Sequence, residues 1–206
     1  GEITVNYGYN TAGILTSFTD GNSKTWTYNY QRDHLLSSVV SPEGRIPLTV
    51  SYDAQNRVAS QDFGDGFVIN FNYSGNTTTL NYPLGISRSY VHDDKLQLTQ
   101  FTDAAGQKAT FTYNSAGNRT AVKDRDGATI ERTFDHGLMT GLRYPGGGSY
   151  SWQYAKRNFL GVDLWDLTQY STPNDGIWTF NLDGMGRPLS VTYPDKSGIN
   201  YTYADN

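Results

Sequence analysis

The chain has 206 residues, no cysteine and a formal net charge of −4. The lack of cysteine excludes disulfides and thiolate chemistry, and the negative charge disfavours a nucleic-acid interface, which usually needs clustered positive charge. Its 22 glycines and its aromatic content of 14% favour strands joined by tight turns over helices. No apolar run approaches the roughly 18–20 residues of a membrane span.

The predicted elements, taken in chain order, are short strands in which aromatic side chains alternate with small or polar ones. The stretch TWTYNY at residues 25–30 shows the pattern, and similar stripes follow at 46–52, 67–73, 111–113, 150–154, 178–180 and 199–203. A period of two residues indicates a strand with one buried face. We therefore expect the rings to pack on the inner face of a sheet.

The last ring of each stretch recurs at intervals of 17 to 26 residues. We call these positions the ladder residues: Tyr9, Tyr30, Tyr52, Tyr73, Tyr90, Tyr113, Phe134, Tyr154, Phe180 and Tyr203. A recurring interval of this size predicts a repeat architecture.

A second series lies between the ladder residues. We call its members the hairpin glycines: Gly21, Gly44, Gly66, Gly85, Gly106, Gly127, Gly148, Gly176 and Gly198. Four of them follow Asp, and Asp-Gly between alternating segments is a strong hairpin signal because Gly adopts positive φ without a clash. At the opposite end of the unit, Gly or Asn stands four residues past a ladder ring, at Gly13, Asn56, Gly117, Asn158 and Gly184.

Each repeat is thus predicted to be a β-hairpin. About nine such repeats give an all-β chain, a single domain over residues 1–206 that is truncated at both ends. Open twisted sheets seldom exceed about ten strands without curling, so we expect one long, twisted and curling antiparallel sheet.

Three stretches resemble the Tyr-Asp (YD) repeat of Rhs-family proteins. They are YDAQNRVAS from Tyr52, YNSAGNRTAV from Tyr113 and FNLDGMGRPLSVTYPDKSG from Phe180. The family includes bacterial polymorphic toxins, the C subunits of toxin complexes, and teneurins. The chain departs from the YD pattern at most repeats, because Asp follows the ladder ring only at Asp53 and Asp135. One repeat, Tyr73 to Tyr90, is short, and another, Tyr154 to Phe180, carries an insertion.

The resemblance implies that the hairpins form part of the wall of a hollow shell. It implies a non-catalytic structural segment of a secreted or cell-surface bacterial protein that encloses or presents a toxin polypeptide. The partners would be further repeats of the parent protein and that polypeptide. A second hypothesis, from the aromatic stripes, is a module that binds carbohydrate or a cell surface, with a glycan as partner.

Catalytic signals are sparse. The three histidines, His34, His92 and His136, are interpreted as turn or surface residues, and neither nucleophile nor phosphate-loop motifs are present. The stretches DRDG at 124–127 and HDD at 92–94 lack the remaining ligands of a calcium loop. We therefore expect no enzyme, no cofactor and no metal site.

Helix is expected to be nearly absent. The insertion around Trp165 is the expected exception, since Leu160, Leu164 and Leu167 have helical spacing.

Overall fold

The structure, a computed structural model, describes residues 3–32 and 34–204. It is all-β, with 19 strands and a single 3₁₀ turn at Pro83–Gly85. The predicted all-β fold of tandem antiparallel hairpins and the near absence of helix are confirmed across these residues. No helix in the described part of the chain is long and apolar enough to cross a membrane.

The chain divides into two compact units, Gly1–Gln107 and Lys108–Asn206. Unit 1 is an antiparallel meander in which each strand pairs with the next. Its strands are β1 Asn6–Tyr9, β2 Leu15–Thr19, β3 Thr25–Gln31, β4 Leu35–Val40, β5 Leu48–Tyr52, β6 Val58–Asp62, β7 Val68–Ser74, β8 Thr77–Asn81, β9 Ser87–His92 and β10 Leu98–Thr102.

Unit 2 is a second meander with the same nearest-neighbour pairing. Its strands are β11 Lys108–Tyr113, β12 Arg119–Lys123, β13 Thr129–Asp135, β14 Leu138–Arg143, β15 Ser149–Phe159, β16 Val162–Thr172, β17 Gly176–Leu182, β18 Pro188–Thr192 and β19 Gly198–Asn200.

In each unit the sheet has two chemically different faces, because successive side chains point to opposite sides. We call them the aromatic face and the hydroxyl face. The aromatic face carries Phe18, Trp26, Phe71 and Tyr73 in unit 1, and Phe111, Tyr150, Trp152, Tyr170 and Trp178 in unit 2. The hydroxyl face carries cross-strand pairs that hydrogen-bond to each other: Thr19 with Thr25 at 2.8 Å, Ser51 with Ser60 at 2.7 Å, and Ser151 with Ser171 at 2.8 Å.

The rings are half-buried, whereas the sequence predicted an inner, buried face. Among the described residues, Val50, at 6% exposure, is the one buried apolar side chain. The reason is that each unit consists of one layer of sheet. A ring is shielded by its neighbours on adjacent strands, but no second layer of described residues packs over it.

The predicted helix around Trp165 is wrong. Residues 162–172 form the 11-residue strand β16, which pairs with β15 from Val162 to Ser171. Leu160 lies in a two-residue turn with Gly161, and both have left-handed φ, 51° and 83°. The helical spacing misleads because Leu164 and Leu167 lie on opposite faces of a strand. The same pairing places Asn158 inside β15 instead of in a turn.

The short repeat from Tyr73 has a related explanation. Strands β7 and β8 are joined by two residues, Gly75 and Asn76, with Ser74 opposite Thr77. Gly75 has a φ of 53°, as a two-residue hairpin with Gly at its first position requires.

Candidate functional site: the junction between repeats

A recurring set of side chains joins one hairpin to the next at several points in the chain, and the clearest example lies between Tyr52 and Tyr73. The loop after Tyr52 is closed by the Asp53 side chain, whose Oδ1 accepts hydrogen bonds from the backbone N–H groups of Gln55 and Arg57, both at 2.9 Å. Asn56 takes the left-handed conformation in this loop, with a φ of 60°. Asp and Asn at such a position imitate a backbone turn, which explains why they follow the ladder ring.

Arg57 links this loop to the following repeat. Its Nε and Nη2 each lie 2.8 Å from Asp53 Oδ2, and its guanidinium carbon lies 4.1 Å from the centroid of the Tyr73 ring. The carboxylate therefore orients the guanidinium over the ring of the next hairpin. Such a cation–π contact stabilises by about 0.5–1 kcal/mol at an exposed site.

The Tyr73 hydroxyl completes the junction by donating a hydrogen bond to the carbonyl of Val58 at 2.9 Å. Val58 lies opposite Tyr52 at a shift in register between β5 and β6, where Ala59 is an extra residue. A β-bulge interrupts the ladder of backbone hydrogen bonds. The tyrosine hydroxyl thus supplies a donor to a backbone group at the bulge of the preceding repeat.

The same hydroxyl bond recurs along the chain. The acceptors are carbonyls of residues that lie opposite, or at, the bulges of the preceding repeats: Tyr52 to Leu36 at 2.8 Å, Tyr154 to Met139 at 3.2 Å and Tyr203 to Pro188 at 2.8 Å. The ladder residues Phe134 and Phe180 have no hydroxyl and cannot make this bond. The bond gives a physical reason for tyrosine, and not any other aromatic residue, at this position.

A second complete junction lies in unit 2, between Asp183 and Tyr203. Arg187 Nε lies 2.7 Å from Asp183 Oδ2, and the guanidinium carbon lies 4.3 Å from the centroid of the Tyr203 ring. The spacing Asp-x-x-x-Arg is the sequence signal for the junction. Arg57, Asp183 and Arg187 were not predicted from the aromatic and glycine series, but this spacing would have identified them.

The junction carboxylates are held ionised. Desolvation raises the pKa of Asp53, but hydrogen bonds from the backbone and guanidinium of Arg57 outweigh it and hold the pKa below its usual value. The backbone N–H of Arg187 is the largest influence on Asp183, and the pKa of that carboxyl is likewise lowered. Desolvation raises the pKa of the Tyr52 and Tyr73 hydroxyls, so both remain protonated donors at neutral pH.

The structure places six of the ten ladder residues at register shifts and displaces two of them. Of the other two, Tyr73 pairs with Thr78 without a shift, and Tyr203 lies after β19. Five ladder residues lie at register shifts that precede a turn: Tyr9, Tyr30, Tyr52, Tyr113 and Phe134. Tyr154 lies at a shift beyond which β15 and β16 continue to pair. In the repeats of Tyr90 and Phe180, the residue at the shift is instead His92 or Leu182, two residues later. Measured from these positions, the intervals to Tyr113 and Tyr203 are both 21 residues.

Asp135 lies beside a different kind of turn. It is opposite Leu138, and His136 and Gly137 form a two-residue turn between them. His136 Nδ1 lies 2.8 Å from Asp135 Oδ1, and the histidine ring lies 4.2 Å from that of Trp165. Asp135 therefore pairs with a neighbouring side chain in place of closing a loop as Asp53 does.

The hairpin glycines all lie at or beside the turns opposite the junctions. Six of them have the left-handed φ expected of such turns: Gly44, Gly66, Gly85, Gly106, Gly127 and Gly176. Gly21, Gly148 and Gly198 do not, and in their loops the left-handed residues are Ser23, Gly147 and Lys196. At the junction end, Gly13 and Gly117 are left-handed, whereas Gly186 takes this role in place of Gly184.

Within the described residues, no group of three or more His, Asp or Glu side chains could hold a metal ion. His34 is exposed, and His136 makes the contacts given above. The junctions hold structural hydrogen bonds and ion pairs, and their geometry offers no convergent nucleophile and base.

Comparisons with known proteins agree with this architecture. The RHS Repeat family model matches residues 9–46 and 92–129. Both matches start at the residue before a loop closed by Asn10 or Asp93. The family model therefore begins its repeat at the same point as the repeat seen in the structure.

Two relatives carry the names of a nuclease and a deaminase toxin. The chain is 28% identical over 146 residues to the tRNA3(Ser)-specific nuclease WapA of Bacillus spizizenii, covering 63% of this chain and 6% of that protein. It is 30% identical over 105 residues to the Double-stranded DNA deaminase toxin A of Burkholderia cenocepacia, covering 48% of this chain and 7% of that protein. The chain thus spans less than a tenth of the length of these relatives.

Solved structures share the fold. A Tc holotoxin pore of Photorhabdus luminescens with a mutated TccC3 matches 92% of this chain and 11% of its own, with a TM-score of 0.62 and 12% identity. A TcdB2-TccC3 crystal structure matches 92% of this chain and 12% of its own, with a TM-score of 0.59 and 12% identity.

Successive antiparallel hairpins joined by a recurring junction define a tandem β-hairpin repeat protein. The tyrosine and aspartate at that junction are the residues after which one class of such repeats is named. Together with the RHS Repeat family model, which matches two segments of the chain, and the relatives, they support an Rhs/YD-repeat protein.

Proposed function

We propose that the chain is a non-catalytic wall segment of a secreted, bacterial Rhs/YD-repeat shell that encloses or presents a toxin polypeptide. Both units belong to one repeat domain in this proposal, and the partners are further repeats of the parent protein and the toxin polypeptide. The observation that carries the proposal is the junction itself. Its bonds run from one hairpin to the next, as in Tyr73 to Val58 and Arg57 to Tyr73, so the recurring chemistry of the repeat serves assembly of a continuous wall.

Two further observations support this function. Both relatives carry names of toxic or nucleolytic proteins, yet the part they share with this chain is a repeat segment of a few per cent of their length. The aromatic and hydroxyl faces also suit a wall that separates two environments, because only one of them is polar.

Limited proteolysis of the full parent polypeptide tests the proposal. We expect its toxin portion to resist protease while the shell is intact, and to become cleavable when Tyr73→Ala and Tyr154→Ala weaken two junctions. Lys24→Ala is the matched control, since Lys24 forms only an exposed ion pair with Glu43. Equal cleavage of the toxin portion in the unaltered and double-variant proteins would contradict enclosure.

A further inference from the structure

The aromatic face of unit 2 is a broad row of rings with nothing described over it. Trp152 lies opposite Tyr170, which in turn lies opposite Trp178, and Tyr150 stacks on Trp152 with ring centroids 6.2 Å apart. These side chains are half-buried. The parts of these rings that remain exposed form a contiguous apolar surface, and contiguous apolar surface in a soluble protein is a feature of interaction sites.

One cation stands on this face without a partner. Arg132 lies opposite Leu142, which lies opposite Tyr150, so the guanidinium belongs to the same row. Its Nη1 is buried and has no hydrogen-bond partner. Lys156, opposite Trp165 on the same face, differs because it pairs with Asp163 at 2.7 Å. A buried unpaired guanidinium nitrogen is unfavourable, and a planar carboxylate is its best complement.

The occupant follows from how the repeats join. Hairpins add to one another at strand edges, as every described pairing in unit 2 shows, so further repeats extend the sheet and leave its face uncovered. A polyanion is disfavoured by the net charge of −4 and by the few cations on this face, where Arg119 already lies over the ring of Phe111. A chain of apolar side chains with an isolated carboxylate meets both the rings and the guanidinium.

We infer that the aromatic face of unit 2 binds an extended polypeptide whose apolar side chains lie on the rings and whose carboxylate pairs with Arg132. The inference rests on the proposed function, since the enclosed toxin polypeptide is the chain that this face holds. It assigns the aromatic face to the polypeptide and the hydroxyl face, whose side chains already bond to one another, to water.

Peptide titration tests this inference on the chain itself. The probe is the capped peptide Gly-Ser-Phe-Glu-Phe-Gly-Ser, its counterpart has Gln in place of Glu, and tryptophan fluorescence reports binding near Trp152 and Trp178. We expect the Glu peptide to bind about tenfold more tightly than the Gln peptide, the effect of one charge-assisted pair. Arg132→Met should remove that difference.

Arg143→Met is the matched control. Arg143 lies on β14 on the hydroxyl face, next to Glu131 at 3.7 Å, and its loss should leave the preference for Glu intact. Circular dichroism establishes that both variants fold. A preference that survives Arg132→Met, no binding of either peptide at millimolar concentration, or binding of a ten-residue oligothymidylate in place of the peptide would each overturn the inference. None of these outcomes changes the protection of the toxin portion from protease. The proposed wall function is therefore tested separately, by the limited proteolysis described above.

Discussion

The junction at Asp53 and the distal half of the β15–β16 hairpin both end a pair of strands, but they do so with different chemistry. At Asp53 a five-residue loop is closed by a carboxylate, and Arg57 carries the contact on to the next repeat. Beyond Tyr154 the two strands continue to a two-residue turn at Leu160 and Gly161. The described pairing of β15 with β14 covers only Ser149 to Ser151, so the distal half is paired chiefly within its own hairpin.

The two regions therefore differ in where their stabilising contacts lie. In the distal hairpin the ion pairs Lys156 with Asp163 and Arg157 with Asp166 connect the two strands of the same hairpin. At the junction the contacts connect neighbouring repeats. Neighbouring repeats are therefore coupled mainly by the tyrosine, aspartate and arginine side chains of the junction. The distal hairpin keeps its ion pairs within itself and contacts the preceding hairpin through the rings of Trp165 and His136.

The largest expected effect comes from Tyr73→Ala. The variant loses the ring under Arg57 and the hydroxyl bond to Val58, and we expect it to lower the free energy of unfolding by about 2–3 kcal/mol, less than the 3–5 of a fully buried ring. Hydrogen exchange should show loss of protection in β5 to β8 while the β15–β16 hairpin keeps its protection, because repeat units interact mainly with their neighbours.

Tyr9→Ala is the control for that prediction, since Tyr9 is a ladder residue that is 60% exposed. Its effect should be below about 1 kcal/mol, in proportion to the smaller buried area. Uniform loss of protection in the Tyr73→Ala protein, including the distal hairpin, would contradict local coupling of repeats.

The loop glycines give the next largest effect. Gly127 follows Asp and Gly147 does not, but Gly147 has a φ of 88° and Gly127 one of 86°, so their replacement should cost the same. We expect Gly127→Ala and Gly147→Ala each to destabilise by about 1–2 kcal/mol, because the left-handed conformation is unfavourable for residues with a Cβ. Gly146→Ala, in the same loop without positive φ, is the control and should be near neutral in urea denaturation. An equal cost at Gly146 and Gly147 would show that φ is not the cause.

A smaller effect separates tyrosine from phenylalanine in the ladder. Tyr73→Phe removes only the hydroxyl bond to the bulge and should destabilise by about 0.5–1.5 kcal/mol. The reverse change, Phe134→Tyr, adds a hydroxyl to the ladder residue that follows Tyr113. Arg119 lies opposite Tyr113 as Val58 lies opposite Tyr52, so the carbonyl of Arg119 is the expected acceptor for the new hydroxyl. Thermal unfolding of both variants checks the role of the hydroxyl. A stabilised Tyr73→Phe protein would rule out the bond as a source of stability.

Sequence alone predicts the strands well because each single-layer sheet has one aromatic and one hydroxyl face, and this alternation is visible in the order of residues. The turns are visible as well, but the left-handed position within them is not. In YPGGGS the pattern cannot distinguish Gly147 from Gly148, since the choice depends on which backbone groups close the loop. The hydroxyl bond from Tyr73 to Val58 depends on a register shift in the preceding repeat, which no local pattern reveals. The register shifts at His92 and Leu182, two residues after the ladder rings, also depend on strand pairing and are not visible in the local sequence.

The smallest expected effect is electrostatic and concerns the ion pair that distinguishes the junction from a simple turn. Asp53→Asn keeps an oxygen that can accept the backbone bonds, as Asn10 does in its own loop, but removes the charge that orients Arg57. The pKa of Asp53 is lowered in the folded protein, so the contribution of its charge is fully present above the unfolded pKa and is lost as pH falls through the folded pKa. The stability difference between the unaltered protein and Asp53→Asn should therefore be present near pH 7 and vanish toward about pH 2, as measured by urea midpoints across that range. Asp126→Asn, an exposed loop position, should show no such dependence. A difference that grows in acid would mean that the carboxylate opposes folding, and Arg57 would then be held over Tyr73 by the ring alone.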